Sequence, residues 1–436
     1  MKFKVYYSLF LICALQACKS GPFNLLKPAS PHQQYERKLV NAGLNQNVMG
    51  AQWINKANTL LQNYVSIKLP YKETGYFAAD KIEGASFKFS LQRGQLLTVK
   101  LNKQSVNSFS IYMDIWEQKD NGELKVLAFA DSIGNDLQLE AKNTGDYYLR
   151  LQPELLVGGS YTLELNIGPS LGYPLKAVNR KQIQSFFGVG RDNDTRRHEG
   201  IDIFSSFRTP VIAVADGTVT RVNENNLGGK VVWFRHNNKD YTLYYAHLDE
   251  QTATTGQEVL IGDTLGLMGN TGNAKNTPPH LHFGIYTSEG AVDPLPFVDP
   301  LIPPLPSIKS DIAKLNTTLR TVNRAIEISD NQQFINPEKL KQNTIVRVLA
   351  ASNTFYKVEL PNGKSGYIAN KSLVETKSLS TRKISSVMQN LLDSPNLAAG
   401  VKANLVIGQT VNVMGVFEDF QLVSTTGGEV GWLSLK

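Results

Sequence analysis

Hydrophobic and polar residues follow two rhythms along this chain. Between Val48 and Tyr64, apolar residues fall at Met49, Trp53, Ala57, Leu60 and Tyr64. That spacing predicts a helix whose stripe packs on the following segment. From about Thr74 to Ile167 the rhythm changes to period two. Phe87–Leu91, Leu97–Leu101, Ser110–Ile115, Tyr147–Leu151 and Tyr161–Leu165 read as five strands, with turn signals such as Asn121-Gly122, Gly134-Asn135 and Gly158-Gly159 between them. Several short alternating strands predict a small antiparallel β-sandwich. A Pro-rich stretch, Pro294 to Pro306, resists both helix and central strand and marks a stiff linker. Beyond it lies an internal repeat. Thr344–Leu349, Phe355–Leu360 and Lys364–Ile368 form one copy; Thr410–Met414, Phe420–Val423 and Glu429–Leu433 form a second, with Tyr367 matched by Trp432.

Between the sandwich and the linker the pattern carries chemistry. Ile201 and Ile203 alternate with Asp202, and Leu281, Phe283 and Ile285 alternate with His280, His282 and Gly284. Equal-parity positions of a strand share a face. His280 and His282 therefore project together, and His198 shares a face with Asp202 if that strand extends back. Tyr241, Leu243, Tyr245 and His247 have one parity, with His247 at the strand's end. The expectation is four imidazoles and a carboxylate converging on one sheet face. These stretches hold four of the six histidines in the chain. Catalytic zinc takes three protein ligands at about 2.0–2.2 Å and keeps a position for water. Two further histidines beside it could accept a proton, donate one or hydrogen-bond an oxyanion. No His-Glu-x-x-His helix is present.

Composition narrows the class. A chain of 436 residues, 42% hydrophobic and 19% charged, describes roughly three folded domains. The net charge of +7 is dispersed with no run of five basic residues, which argues against nucleic acid as a partner. Lys2 and Lys4 precede a short apolar run, Leu9 to Leu15, too short to span a bilayer. It ends at Leu15-Gln16-Ala17-Cys18, which resembles a bacterial lipoprotein signal. That resemblance implies cleavage after residue 17, a lipid on Cys18 and anchoring at the cell envelope. Cys13 would leave with the signal, so the mature chain would carry no disulfide. Gly21 to Gln34 reads as a tether, with His32 exposed in it. His236 precedes Asn237-Asn238, a turn signal, and reads as exposed or structural.

The motifs Arg197-His-Glu-Gly-Ile-Asp-Ile203, Thr209–Val219, Tyr245-Ala-His-Leu248, Gly269-Asn-Thr-Gly272 and Pro279-His-Leu-His-Phe283 together resemble the lysostaphin/LytM-type zinc metallopeptidases. The resemblance runs from about Phe186 to Pro300. It implies one zinc ion per chain on His198, Asp202 and His282, with His247 and His280 as a non-ligand catalytic pair. It also implies peptidoglycan as substrate. Arg208 and Gly284 depart from the family's usual Gly and Glu, at positions that are not ligands. The repeats resemble bacterial SH3-like modules, and Thr144–Leu151 resembles an accessory sandwich found beside secreted peptidases.

The expected architecture is mainly β and multidomain. A signal peptide (1–17) precedes a tether and helical segment (18–73) and an antiparallel β-sandwich (74–170). An antiparallel β-sheet zinc peptidase (178–300) follows. A Pro-rich linker (301–317) then leads to two small SH3-like β-barrels (318–378 and 379–436). The expected function is an envelope-anchored, periplasm-facing zinc endopeptidase acting on peptidoglycan cross-links or stem peptides. The competing expectation is a non-catalytic regulator that binds and activates a cell-wall amidase.

Overall fold

The computed structural model describes residues 29–104, 109–131, 136–191, 193–322, 326–385 and 387–435. The expected signal peptide and Cys18 lie outside these residues. The chain is mainly β, as expected, and its strands form several separate sheets. Among the described residues no helix is long and apolar enough to cross a membrane.

Two helices open the described chain. Pro31–Asn41 begins with a reciprocal cap: Ser30 Oγ accepts from the Gln33 amide, and Gln33 answers on the Ser30 amide. The segment from Pro31 is thus ordered helix rather than tether. Val48–Leu60 is the helix the periodicity predicts, capped by Asn47. Trp53, Ala57 and Leu60 are buried, while Met49 remains exposed. Trp53 Nε1 donates to the Pro153 carbonyl and Arg150 to that of Ala57, fixing the stripe to the sandwich.

His32 corrects the expectation of exposure. It is 2% exposed. Its ring stacks on Trp53 at 4.7 Å, and Nε2 lies 2.8 Å from Gln152 Oε1. A short helix with a polar sequence conceals this contact, because a single buried imidazole leaves no periodic trace.

The five predicted sandwich strands all form. One sheet runs in the order Val65–Ser66, Ala85–Leu91, Gly145–Pro153, Ile111–Gln118, Leu124–Asp131. The facing sheet contains Leu137–Glu140, Gln95–Gln104, Gly159–Pro169 and Tyr71–Phe77, and then continues without a break into Ile345–Ser352, Phe355–Glu359 and Ser365–Ala369. The first repeat therefore extends the sandwich sheet. Glu73 to Gly75 pair with Ala350 to Ser352 in antiparallel register. At this seam Lys357 Nζ contacts both Glu73 carboxylate oxygens at 2.7 and 2.9 Å, with both side chains almost fully buried. Tyr161 donates to the same carboxylate, and the Tyr71 and Tyr367 hydroxyls meet at 2.9 Å. The second repeat forms its own six-stranded sheet, Ser380–Lys383 through Val430–Ser434.

The central sheet, flanked on both sides in sequence by the composite just described, orders its strands Ile183–Ser185, Ile201–Phe204, His280–Thr287, Thr242–Gln251, Gly229–His236, Gly217–Asn225. Ile201, Ile203, Leu243, Tyr245, Leu281, Phe283 and Ile285 are all fully buried on its core face. The apolar half of each alternation is thereby accounted for, and the polar half faces the other way.

Candidate metal centre

Asp202 and His282 sit opposite each other on paired strands, with Ile203 facing Leu281 and Phe204 facing His280. Cross-strand partners are neighbours on one face, so this register alone brings a carboxylate and an imidazole together. His198 arrives from outside the strand, which begins only at Ile201. A pair of backbone bonds, His198 N to Val189 O and Gly188 N to His198 O, holds it there. Gly200 makes the approach feasible: a Cβ there would lie 2.5 Å from the Phe283 carbonyl and 2.8 Å from the His282 ring.

The donor atoms form a small triangle. His198 Nε2 and Asp202 Oδ1 are 3.0 Å apart, His198 Nε2 and His282 Nδ1 2.9 Å, and His282 Nδ1 and Asp202 Oδ1 3.0 Å. His198 Nδ1 lies 2.9 Å from the Phe186 carbonyl, which can only accept. The proton therefore sits on Nδ1, and Nε2 presents a lone pair to the centre. Three mutually facing acceptors cannot be satisfied by the one remaining ring proton, so the arrangement suits a cation. A triangle with about 3 Å sides is the size that would hold a zinc ion on all three atoms at its usual distance of about 2.0–2.2 Å to nitrogen and oxygen. The residues present thus fit zinc, and among the described residues this is the one such cluster of His, Cys, Asp and Glu.

The remaining carboxylate oxygen, Asp202 Oδ2, accepts from Arg191 at 2.6 Å; the same guanidinium nitrogen reaches Ser185 Oγ at 2.6 Å. Burial alone would raise the Asp202 carboxyl, but the contacts with His198 and His282 outweigh it and hold it far below the usual carboxylate range. Arg197, next to His198 in sequence, faces Asp194 instead. Arg191 lies on a two-residue strand, Gly190–Arg191, and carries no periodic signal that could have singled it out.

His247 reaches the centre by an irregularity that parity does not anticipate. Tyr245 belongs to the core, so uninterrupted alternation would bury His247 beside it. Instead Val232 pairs with Tyr245 while Lys230 pairs with Leu248, so one residue, Val231, faces two, Ala246 and His247. His247 takes the left-handed conformation, φ 65°. This bulge turns the imidazole to the metal face and returns Leu248 to the core. His247 Nδ1 lies 2.9 Å from the Thr271 carbonyl, and His280 Nδ1 2.9 Å from that of Pro278. Both rings are thus protonated on Nδ1 and offer Nε2 as acceptor. Burial, reinforced by the neighbouring imidazoles, pushes His247 down to about 4, so it is neutral at pH 7. The two rings stand 5.0 Å apart, and His280 stacks on Phe204. His280 Nε2 stops 4.0 Å from Asp202 Oδ1, farther than any triangle contact.

Arg208 and Gly284 also acquire reasons. Arg208 sits at φ 62° and pairs with Asp249 and Glu250 on the rim. Gly284 lies under Tyr286, whose ring carbon would be 2.9 Å from an added Cβ. His236 is half-buried and fixed by the Asp216 carbonyl, outside the centre.

Residues 196–294 match the family described as Peptidase family M23. An uncharacterized metalloprotease of Haemophilus influenzae is 39% identical over 128 residues, 28% of this chain and 26% of that protein. The peptidoglycan DD-endopeptidase ShyC of Vibrio cholerae is 38% identical over 88 residues, 20% of each chain. An L-Ala–D-Glu endopeptidase of Bacillus subtilis is 35% identical over 136 residues, 28% of this chain and 41% of that protein. The chain thus spans well under half the length of these relatives. All five candidate residues fall inside the 196–294 match to Peptidase family M23, so the segment of this chain that is similar to that family is the one that carries the donor triangle.

Proposed function

We propose that the protein is a zinc endopeptidase that hydrolyses the peptide part of peptidoglycan. The observation that carries this reading is the triangle of lone pairs on His198, Asp202 and His282, flanked by two imidazoles that are not part of it. Zinc held there would supply a Lewis acid that polarises a carbonyl and makes a bound water more acidic. The chain's own residues supply the rest. Arg191 holds Asp202 in its ligating pose. His247, neutral with Nε2 free of its proton, accepts a proton from the attacking water. His280, its ring 5.0 Å from that of His247 and braced by Pro278 and Phe204, hydrogen-bonds the developing oxyanion or returns a proton to the leaving amine. The curated relatives named as endopeptidases support peptidoglycan as the substrate.

The finer reading is hydrolysis of the cross-link between D-alanine and diaminopimelate, at an outer membrane to which a lipid on Cys18 tethers the chain. The lipoprotein-like leader supports that setting, and the SH3-like repeats would present wall peptides. The intact five-residue centre runs against the alternative of a regulator that only activates an amidase. Mass analysis of fragments released from cross-linked sacculi, with and without chelator, tests both levels. Chelator-sensitive release of cross-link products is expected; no release by zinc-loaded protein would remove the enzymatic reading.

A further inference from the structure

His247 leaves the regular strand through a bulge, and one residue outside that strand ties its two sides together. Thr271 lies in the turn Gly269-Asn-Thr-Gly272. Its hydroxyl donates to the Leu248 carbonyl at 2.7 Å and accepts from the Lys230 amide at 3.0 Å. Lys230 and Leu248 are the register pair that closes the bulge. A hydroxyl can donate and accept at once, so Thr271 bridges the two strands where their pairing resumes. The carbonyl of the same residue accepts from His247 Nδ1 at 2.9 Å.

The backbone around Thr271 is closely fitted. Gly229 sits at φ 64°, and a Cβ on it would stand 2.2 Å from Thr271 Oγ1. Gly272 sits at φ 71°, and a Cβ there would stand 2.3 Å from the Gly229 nitrogen. Only glycine tolerates both the conformation and the approach. The His247 amide donates to the Gly228 carbonyl at 2.7 Å, and the Asn273 amide to that of Leu227 at 3.1 Å. The two loops thus interlock, one holding the His247 backbone and the other its ring.

We propose that Thr271 is the positioning residue of His247. Its hydroxyl fixes the bulge, and its carbonyl, held in place by that hydroxyl, selects the tautomer protonated on Nδ1. The hydrogen bond at one ring nitrogen decides what the other presents, so Nε2 keeps its lone pair for a proton. The catalytic consequence rests on the proposed role of His247 as base; the placement of the ring does not.

The test uses the full, zinc-loaded chain with Thr271→Val, which keeps the shape and loses the hydroxyl, and Thr271→Ser, which keeps the hydroxyl. Nitrogen NMR of the imidazoles reads the tautomer, and sacculus hydrolysis reads kcat and KM. In Thr271→Val, His247 is expected to populate the tautomer protonated on Nε2. Its kcat should fall roughly 100-fold with KM and zinc content unchanged. Thr271→Ser should recover both the tautomer and the rate. A single Nδ1-protonated form in Thr271→Val overturns the proposal, as does an equal loss of rate in the Ser and Val variants. Should Thr271→Val fail to bind zinc, Thr271→Ala takes its place; loss of zinc in both would make Thr271 a folding residue and overturn the proposal. Absence of hydrolysis by the wild type would count against the proposed activity alone, since the tautomer is read without substrate.

Discussion

Tyr245 and His247, two residues apart on one strand, face opposite sides of the sheet: Tyr245 is fully buried in the core, and His247 Nδ1 donates to Thr271 at the metal face. The bulge between them separates a structural aromatic from the imidazole proposed as the base. His247→Ala is expected to lower kcat by roughly 10²–10⁴-fold while leaving one zinc per chain. Metal analysis beside sacculus assays decides the matter; loss of zinc in this variant would make His247 a ligand and refute the division of roles.

Arg191 is expected to act through Asp202. Arg191→Ala should weaken zinc roughly 10–100-fold, read by competition with a chelator, because outer partners of ligating carboxylates contribute on that order. Asp202→Asn and His282→Ala should lose the ion outright. Unchanged zinc affinity in Arg191→Ala would reduce its contact to incidental packing.

The contrast between these residues shows what the sequence reveals. Asp202, His280 and His282 were legible because each alternates with core residues, so parity fixes their face. His198 was legible by motif but not by parity, since it precedes the strand. His247 reached the expected face for a reason parity did not contain. Arg191, Phe186 and Pro278 were invisible because they act through backbone carbonyls or from an isolated two-residue strand. The sandwich strands were legible by alternation; the joining of Tyr71–Phe77 to Ile345–Ser352 was not, because edge pairing across such a separation leaves no local pattern.

That seam yields a stability prediction. Lys357→Ala leaves the Glu73 carboxylate buried without its cation and is expected to cost about 3–5 kcal/mol. The pair Lys357→Met with Glu73→Gln should recover much of it. Denaturant titrations of the wild type and the two variants measure the difference. A Lys357→Ala loss below about 1 kcal/mol would show that the seam is hydrated in solution.

His32 predicts a pH response. Burial first, then the charge on Arg150, pushes its pKa down from 6.5 to about 4. The folded state therefore favours neutral imidazole, and the unfolded chain binds the proton first. Stability is complete above pH 6.5 and declines as pH falls from 6.5 toward 4, by at most about 3 kcal/mol. Hydrogen exchange across residues 31–60 should accelerate over that window in the wild type. In His32→Gln the dependence should flatten; an unchanged profile would assign it to other groups.

The two ends of the peptidase region touch: the Leu171 amide donates to the Phe297 carbonyl at 2.8 Å. Meanwhile Glu73 and Lys357, 284 residues apart, belong to one continuous sheet. In chain topology the catalytic unit is thus an insert, entering and leaving the surrounding scaffold at a single point. The scaffold's halves are synthesised on either side of the insert, so the Tyr71–Phe77 edge stays open until the first repeat emerges. The insert itself places no strand in the seam and could be exchanged for another cassette of the same entry spacing without reopening it.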